Sequence, residues 1–528
     1  MAKQFTIPLA FDSPMVSIPL VLRKRGRLLK RTAIAVLPSF VQARLSPAAS
    51  PSATPTIKTS GVHVLDGLRG VACLIVFNEH YTRPYTDTFH YGYGIDGRRS
   101  FVQWPFVRVM WSGTAMVTIF FVISGYVLSY KSLRHIQDRT APHKLPRILA
   151  SSTFRRAIRL YLPAATLVLI CGFVAWAGGF RSASAVRQAK PSLLAEGSEH
   201  TPPQFDSFPV QMGDALQKVW IMSNFWQWDV VIGPGIYDGH LWTIPVELRC
   251  SMVLFLTLIA TSHLRQKVRF SYVLLFIAYC VATERRDIML FLCGMLMAEI
   301  DLLYRAIDAS NGRQPSRWNL RKVLSPALFL LGLFLAGLPS SGGPETPGYR
   351  TLVAMTSRFP SGGGFLDKPG SIIECAGAVL IVWSVTIATS TSSLTSLFMS
   401  VPAQYLGSIS FALYLVHGCV LRSLHYSIMP WLVKIIHAFN TRNEAGELSS
   451  RGTTAGFVIA WLIGLVAILP VTLWAADLFW RGVDETCIAF ARWLEQRCVE
   501  QHGDDFQTQY RHLEPGGDSL NTGTMAMC

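Results

Sequence analysis

Charged residues are scarce in this chain: only 15% of its 528 residues are Asp, Glu, Lys or Arg, whereas 50% are hydrophobic. Soluble domains carry about 25% charged residues, so the composition argues against a soluble enzyme. Long apolar runs divide the chain, and we infer a polytopic membrane protein. The net charge of +16 is accounted for by basic connections between these runs, so no nucleic-acid partner is needed to explain it.

Several catalytic signatures are also missing. There is no G-x-S-x-G, because Val122 occupies the first Gly position before Ser124, and this excludes the nucleophile elbow of an α/β-hydrolase. The zinc-protease pattern H-E-x-x-H is absent. No histidine is followed by Asp four or five residues later, which excludes the H-x-x-x-D and H-x-x-x-x-D arrangements of common soluble acyltransferases.

The ten cysteines include no C-x-x-C pair. Seven of them fall within apolar runs, at Cys73, Cys171, Cys250, Cys280, Cys293, Cys375 and Cys419. This placement predicts buried thiols that pack in a core, and it favours neither a disulfide framework nor a metal site.

Ten apolar segments have about the length of membrane helices. They cover residues 62–82, 111–130, 160–180, 242–262, 270–284, 287–304, 323–340, 371–391, 402–424 and 453–480. The fifth and sixth are short. We therefore predict an all-α polytopic membrane protein in which about ten transmembrane helices form one bundle.

Arginine and lysine concentrate in alternate connections between these segments. Residues 131–159 contain eight basic residues and the single acid Asp138, and basic residues also cluster in the N-terminal tail, at 265–269 and at 305–322. Cytosolic loops carry such an excess. We therefore predict a multi-pass protein with both termini in the cytosol, in an endomembrane or the plasma membrane.

Polar segments flank the apolar core at both ends. Residues 1–60 are rich in Arg, Ser, Pro and Ala, with Asp12 as the only acid. This composition fits an organelle transit peptide or, as we prefer, a disordered cytosolic tail. We predict a core at residues 61–481 and a cytosolic C-terminal tail at 482–528. No internal repeat is visible.

The first apolar segment carries ionisable residues along one face. In LDGLRGVACLIVFNEHY, residues 65–81, the eleven steps from Arg69 to His80 return to within about 20° of the same direction and rise about 16 Å. Asp66, Arg69, Cys73 and His80 thus form one polar stripe. Because such residues are costly in lipid, the stripe predicts a functional site. The alternative is an Asp66–Arg69 pair at the membrane surface and an interfacial His80.

His80 is a natural general base, because a neutral imidazole can accept a proton from a hydroxyl at physiological pH. An orienting carboxylate would assist it. Glu79 points about 100° away around an ideal helix, so Glu247, in HLWTIPVELRC, is the better candidate. The alternative for Glu247 is an internal salt bridge, for example with Arg249.

A basic pair lies at the start of the third segment, in FRRAIRLYLP at residues 154–163. Arg156 and Arg159 are one turn apart on a helix, so their guanidinium groups could grip a phosphate together. Ordinary arginines of a cytosolic loop would look similar.

Five motifs together resemble the membrane-bound acyltransferase 3 family, which transfers acyl groups, most often acetyl, to hydroxyls. They are LDGLRGVACLIVFNEH with its R-x10-H spacing, FFVISGYVLSY at 120–130, RRAIRL at 155–160, LWTIPVELRCSMVLF at 241–255 and SISFALYLVHG at 408–418. Each motif alone is weak, but the five occur in the family order and span residues 62–480.

The resemblance implies a ten-helix core and a soluble co-substrate, acyl-CoA, that enters from the cytosol, with no permanently bound cofactor. It implies that Arg69 and His80 are the essential pair of the first helix, that Arg156 and Arg159 bind the donor, and that Glu247 is the carboxylate of the W-x-x-x-x-E segment. The nucleotide of CoA would stay near the arginines while its pantetheine arm brings the thioester to His80. Direct attack by the acceptor and a transient acyl-histidine both fit the sequence.

We therefore predict an acyl-CoA-dependent O-acyltransferase that transfers an acyl group, most simply acetyl, to a hydroxyl of a small secondary metabolite. Its partners would be acyl-CoA, a hydroxylated acceptor and the lipid bilayer. A carbohydrate or lipid acceptor is the enzymatic alternative. A membrane transporter whose solute path is lined by the polar stripe is the alternative from another class, although such proteins often contain inverted repeats.

Overall fold

The computed structural model describes residues 36–45, 61–138, 144–188, 201–226, 237–311, 318–357, 370–436, 441–442, 448–449 and 454–499. In chain order the α-helices of these residues are α1 (Ser39–Leu45), α2 (Gly61–Thr82), α3 (Pro105–Arg108), α4 (Gly113–Asp138), α5 (Lys144–Trp176), α6 (Arg181–Gln188), α7 (Phe208–Ser223), α8 (Thr243–Thr261), α9 (Gln266–Ala282), α10 (Arg286–Asn311), α11 (Trp318–Ala336), α12 (Arg350–Thr356), α13 (Ser371–Ile387), α14 (Ser393–Phe398), α15 (Val401–Val420), α16 (Tyr426–Ile436), α17 (Thr454–Phe479) and α18 (Glu485–Cys498).

Helical turns of other types join several of these helices. Short 3₁₀ turns lie at Thr88–His90, Ile95–Gly97, Phe101–Gln103, Val109–Trp111 and Gly239–Trp242, and π-helical turns lie at Leu421–His425 and Trp480–Asp484. Thr441–Arg442 and Leu448–Ser449 form β1 and β2, which pair antiparallel. Apart from these two strands and one isolated bridge between Tyr91 and Ser341, the regular secondary structure of the described residues is helical, which confirms the all-α class.

Each of the ten apolar segments overlaps a helix, although the ends differ; these helices are α2, α4, α5, α8, α9, α10, α11, α13, α15 and α17. By length and composition, five helical stretches in the described ranges could cross a membrane: Gly113–Asp138, Lys144–Trp176, Gly239–Thr261, Val401–Leu432 and Val458–Cys498. Ser371–Ile387 is a shorter apolar helix. The protein is thus an integral membrane helical protein, and the number of about ten crossings stays a prediction.

Helices α2 and α15 run parallel and in close contact. Cys73 donates its thiol hydrogen to the carbonyl of Ser410, 337 residues later, and the same separation relates Gly70 to Gly407 and His80 to His417. In a topology of ten membrane segments that alternate in direction, the first and ninth segments run the same way, so α2 and α15 should be parallel. This register places the polar stripe of α2 against α15. The stripe therefore faces protein and not lipid.

Glycines allow this close approach. A methyl group at Gly70 would lie 2.3 Å from the Gly407 nitrogen, and one at Gly407 would lie 2.4 Å from the Asp66 carbonyl oxygen. Small residues let membrane helices pack backbone to backbone. The sequence GLRG in α2 therefore determines how deeply α15 can pack against Arg69.

Both predicted tails contain ordered residues. In residues 36–45, which belong to the predicted N-terminal tail, the Ser39 hydroxyl donates to buried Asp477 of α17 (2.6 Å), which also pairs with Arg481. At the other end, helix continues through residue 481 into α18, which packs on α5 through an ion pair between Arg155 and Glu495 at 3.1 Å. The remainder of each predicted tail lies outside the described residues.

The cysteines of the described ranges are free thiols, and all of those in apolar segments are buried except Cys293, which is half-buried. They pack within the helix bundle. This is the arrangement that their positions in the sequence predict.

Candidate active site

Three histidines from distant parts of the chain meet in the bundle, and we call His80, His240 and His417 the histidine cluster. The His80 and His240 rings meet edge to face with centroids 4.0 Å apart, and His240 and His417 lie 4.3 Å apart. Each comes from a different element: the end of α2, the 3₁₀ turn before α8, and the last turn of α15. His240 and His417 are buried and His80 is nearly so.

Asp238 orients His240. Its Oδ1 lies 2.5 Å from Nδ1 of His240 and also accepts the backbone N–H of the same residue. The other carboxylate oxygen lies 2.8 Å from the guanidinium of Arg422, and both side chains are essentially inaccessible. Gly418 is required here, because a methyl group at that position would lie 2.4 Å from the Asp238 carboxylate. The carboxylate contacts Nδ1 and thereby fixes the orientation of the His240 ring.

His417 is oriented by the backbone of its own helix. Its Nδ1 lies 2.7 Å from the carbonyl oxygen of Tyr414. A carbonyl oxygen only accepts hydrogen bonds, so Nδ1 carries the hydrogen and Nε2 carries the lone pair in the neutral ring. The protein thereby fixes the orientation of two imidazoles around His80.

The Glu79 carboxylate contacts His80, with Oε2 3.4 Å from Nε2 of the ring. The helix geometry had made Glu79 a poor candidate for this contact. The structure nevertheless brings the two side chains together, because the Glu79 carboxylate folds back over Gly113, where a methyl group would lie 2.6 Å from it. This position at the first turn of α4 also suits an anion, because the helix dipole is positive there.

Arg69 occupies the opposite end of the polar stripe. It donates through Nε to the Ser410 hydroxyl (2.8 Å) and through Nη2 to the Gly407 carbonyl (2.9 Å), and Asp66 lies 3.4 Å away. The predicted Asp66–Arg69 contact is therefore present. It coexists with bonds to α15, so Arg69 faces protein, and 39% of its side chain stays accessible to a ligand.

A small cavity lies beside Arg69, and we call it the arginine cavity because Arg69, Arg156 and Arg159 line it together with Glu247. Its volume is about 200 Å³. Arg156 lies 2.5 Å from Glu247 and donates to the Ser251 hydroxyl, and the Ser124 hydroxyl donates to Glu247 at 3.2 Å. The structure thus unites four of the five predicted site residues in one cavity. Glu247 contacts Arg156 there, while Arg249 pairs with Asp287.

Two hydroxyl side chains separate the arginine cavity from the histidine cluster. Thr243 and Tyr414 both line the cavity. The Tyr414 hydroxyl donates to the His240 carbonyl (2.8 Å), and Thr243 donates to the Tyr414 hydroxyl (3.1 Å). These hydroxyls therefore connect the cavity lining to the backbone of His240.

A second polar cavity lies beside Glu79, which contacts His80, and we call it the Glu79 cavity. It has a volume of about 340 Å³, and its lining includes Glu79, Arg83, Arg108 and Glu374. Burial lowers the pKa of Arg108 to about 10, so its guanidinium stays charged at neutral pH. That guanidinium donates to the Gly337 and Phe89 carbonyls and so holds the cavity wall in place.

The histidine cluster could also hold a metal ion, because one ring nitrogen from each residue lies within 4.8 Å of the others. Zinc binds histidine nitrogens at about 2.0–2.1 Å, so two nitrogens on one ion are at most about 4.2 Å apart. A bound ion would draw the three rings together.

Sequence reasoning had missed Asp238, His240 and Arg422. His240 directly precedes LWTIPVE, and DGH at 238–240 places an acid two residues before a histidine at the start of an apolar helix. That combination of ionisable residues is the signal that could have found them. Their distance from His80 along the sequence concealed the contact.

The geometry agrees with comparisons to known proteins. Residues 62–481 match the acyltransferase domain of the acyltransferase 3 family. The chain is 30% identical to O-acetyltransferase PaAT-1 of Phomopsis amygdali over 82% of this chain and 84% of that protein. It is 26% identical to acyltransferase clz18 of Cochliobolus lunatus, covering 77% and 90% of the two chains, and 24% identical to acyltransferase R4 of Phoma sp. (strain ATCC 20986 / MF5453), covering 84% and 96%. No solved structure matches the chain. The family predicted from the five motifs is confirmed: the chain belongs to the membrane acyltransferase 3 family and is an acyltransferase.

Proposed function

We propose that this enzyme transfers an acetyl group from acetyl-CoA to a hydroxyl of a small secondary metabolite. The name of PaAT-1, an O-acetyltransferase, supports both the acetyl group and the oxygen acceptor. The observation that carries the proposal is the position of His80, which is the histidine of the R-x10-H motif and lies among imidazoles oriented by Asp238 and Tyr414. A carbohydrate or lipid hydroxyl is the alternative acceptor.

The arginine cavity is the donor site in this proposal. With a volume of about 200 Å³, it is smaller than the 300–1,000 Å³ that usually enclose a drug-sized ligand. It therefore suits the narrow pantetheine arm of acetyl-CoA and not the nucleotide. Arg156 and Arg159 would bind the phosphates at its entrance through charge-assisted hydrogen bonds.

In this mechanism His80 accepts one proton from the acceptor hydroxyl and later donates it to the leaving thiolate. The acceptor hydroxyl attacks the thioester carbonyl while His80 takes its proton, and the carbonyl oxygen becomes an oxyanion. When the C–S bond breaks, the ester is released and the proton on His80 passes to the CoA thiolate. Arg69 lies on the donor side, at the other end of the polar stripe from His80, where its positive charge would hold the donor.

The basic connections orient the protein within this proposal. Their excess of Arg and Lys supports an orientation in which both termini and the arginine cavity lie at the cytosolic face, where acetyl-CoA is available. A cysteine-accessibility measurement at exposed Cys498 in sealed vesicles of known orientation would test the side on which the C-terminal helix lies.

The test of the function uses membranes that contain the full chain, labelled acetyl-CoA and a panel of hydroxylated small molecules. His80→Ala should lower transfer about 100- to 10,000-fold, the usual contribution of a general base. His63→Ala is the matched control, because His63 lies on the same helix and is 48% exposed. Equal transfer by His80→Ala and wild type, at equal membrane levels, would remove His80 from the mechanism. Absence of labelled ester with every alcohol would overturn the acetyl-CoA proposal.

A further inference from the structure

The arginine cavity and the Glu79 cavity each have a lining residue in contact with the histidine cluster. The arginine cavity ends at Thr243 and Tyr414, whose hydroxyl is bonded to the His240 carbonyl. The Glu79 cavity ends at Glu79, whose carboxylate lies 3.4 Å from His80. Along α2, Arg69 and Glu79 are separated by about 15 Å of helix rise. Two co-substrates could therefore reach His80 without competing for one entrance.

The chemistry of the second cavity differs from that of the first. Three carboxylates line it, at Glu79, Asp87 and Glu374, and they face the guanidinium groups of Arg83 and Arg108. Asp87 is already paired with Arg98, and Arg83 lies 3.8 Å from Glu79. Because its wall contains charges of both signs, the cavity offers many hydrogen-bond donors and acceptors but little net attraction for a phosphate.

Hydroxyl and aromatic groups complete the wall. Ser112, Thr114 and Ser341 contribute hydroxyls, and Trp111 and Tyr91 contribute aromatic rings. Aromatic faces bury the C–H surface of a ligand, while fixed polar groups bind its hydroxyls. The volume of about 340 Å³ lies at the lower end of the range for small-molecule sites, which suits a compact ligand.

From this lining we propose that the Glu79 cavity binds the acceptor of the acyl transfer, and that this acceptor presents a compact, hydroxyl-rich part such as a sugar or polyol ring. The inference rests on the proposed function. The acceptor hydroxyl would pass Glu79 to reach His80, so Glu79 is a positioning residue that holds the imidazole toward the cavity. The arginine cavity remains the donor site.

The experiment measures binding without requiring acyl transfer. Ser341→Cys places a thiol in the cavity wall, and Ser357→Cys, at an exposed position just after α12, is the matched control. Both are made with Cys498→Ser, which removes the native thiol that is exposed among the described residues. A small methanethiosulfonate reagent modifies the purified full-length protein, with methyl β-D-glucopyranoside as the probe. Mass spectrometry of the corresponding peptides gives the two modification rates.

The probe should slow modification at residue 341 about threefold when present at about twice its dissociation constant, and it should leave residue 357 unchanged. Hexane-1,6-diol, which has fewer hydroxyls, should protect less. Equal rates at 341 with and without the sugar, up to saturating concentrations, would overturn the inference. Protection that is equal for both alcohols would overturn its hydroxyl-rich specificity.

A measurement of acetyl transfer distinguishes failure of this inference from failure of the proposed function. Transfer of labelled acetyl to methyl β-D-glucopyranoside should exceed transfer to 1-octanol in the wild type, and Ser341→Trp should raise the KM for the sugar without changing the KM for acetyl-CoA. Protection at 341 without any transfer would contradict the proposed function and leave the binding site standing. Transfer that prefers octanol and is unaffected by Ser341→Trp would contradict the acceptor site and leave the acyltransferase standing.

Discussion

His80 and His240 lie edge to face with ring centroids 4.0 Å apart, although 160 residues separate them along the chain. Asp238 contacts Nδ1 of His240 through one carboxylate oxygen and forms an ion pair with Arg422 through the other. This row of side chains couples the base proposed on α2 to a charge pair in the interior. Substitutions in the row should therefore separate effects on catalysis from effects on folding.

We predict that Asp238→Asn destabilises the protein and lowers transfer. The substitution leaves the guanidinium of Arg422, which is 1% exposed, without its charged partner, and breaking a buried pair in this way costs about 3–5 kcal/mol. Thermal unfolding of purified protein in detergent measures the stability, and labelled acetyl transfer measures activity.

The double variant Asp238→Asn/Arg422→Met separates the two effects. It removes both charges, so it should recover much of the unfolding temperature lost by Asp238→Asn. Transfer should stay low, because His240 still lacks its orienting carboxylate. Recovery of full activity together with stability would show that Asp238 acts only in folding.

Arg156→Lys should raise the KM for acetyl-CoA at least about tenfold, which corresponds to the loss of one charge-assisted hydrogen bond of about 1.5 kcal/mol. A lysine ammonium cannot bind Glu247 and a phosphate with the forked geometry of a guanidinium. Steady-state kinetics with varied donor give KM and kcat separately. Arg147→Lys is the matched control, because Arg147 lies on the same helix in an exposed position. A lower kcat with an unchanged KM would place Arg156 at the reacting atoms.

The positions of the helices and the polar face of α2 could be predicted from the sequence, because both depend on residues that are close together in the chain. Apolar length identified α2 and α15, and an interval of eleven residues placed Arg69 and His80 on one face of a helix. The partners of His80 depend on which helices are neighbours, and that is decided by packing between segments hundreds of residues apart. Glycines at 70 and 407 make α2 and α15 neighbours, but neither glycine identifies the other from sequence alone.

The contact between Glu79 and His80 shows a second limit of prediction from the sequence. An ideal helix separates adjacent side chains by about 100°, which directs Glu79 away from His80. The long carboxylate side chain crosses that angle because Gly113 leaves space for it. Helical periodicity describes where Cβ atoms point, whereas the ends of long side chains are positioned by the packing around them.

Gly407→Val should prevent stable folding, because its Cβ would lie 2.4 Å from the Asp66 carbonyl oxygen and backbone cannot move aside as a side chain does. The cost should exceed the usual penalty of about 1–3 kcal/mol for an overpacked core. Gly213→Ala in α7 is the control, since nothing lies within 4 Å of the added methyl group, and it should be neutral or stabilising by up to about 1 kcal/mol. Size-exclusion profiles of fluorescently tagged variants report the folded fraction. Normal monodisperse Gly407→Val protein would contradict the close α2–α15 packing.

Removal of divalent metal ions should leave transfer unchanged. The proposed mechanism needs a lone pair on His80 to accept the acceptor proton, and a metal ion bound by the three histidines would occupy one nitrogen of each ring. Purified enzyme is treated with EDTA and with 1,10-phenanthroline, then assayed for labelled acetyl transfer, while elemental analysis measures zinc, manganese and iron bound to the same sample. His417→Ala serves as a comparison, because it removes one of the three donors without removing His80. Loss of transfer with the chelator, restoration by one metal ion per chain and absence of that ion from His417→Ala would together assign the cluster to metal binding and replace general-base catalysis by His80.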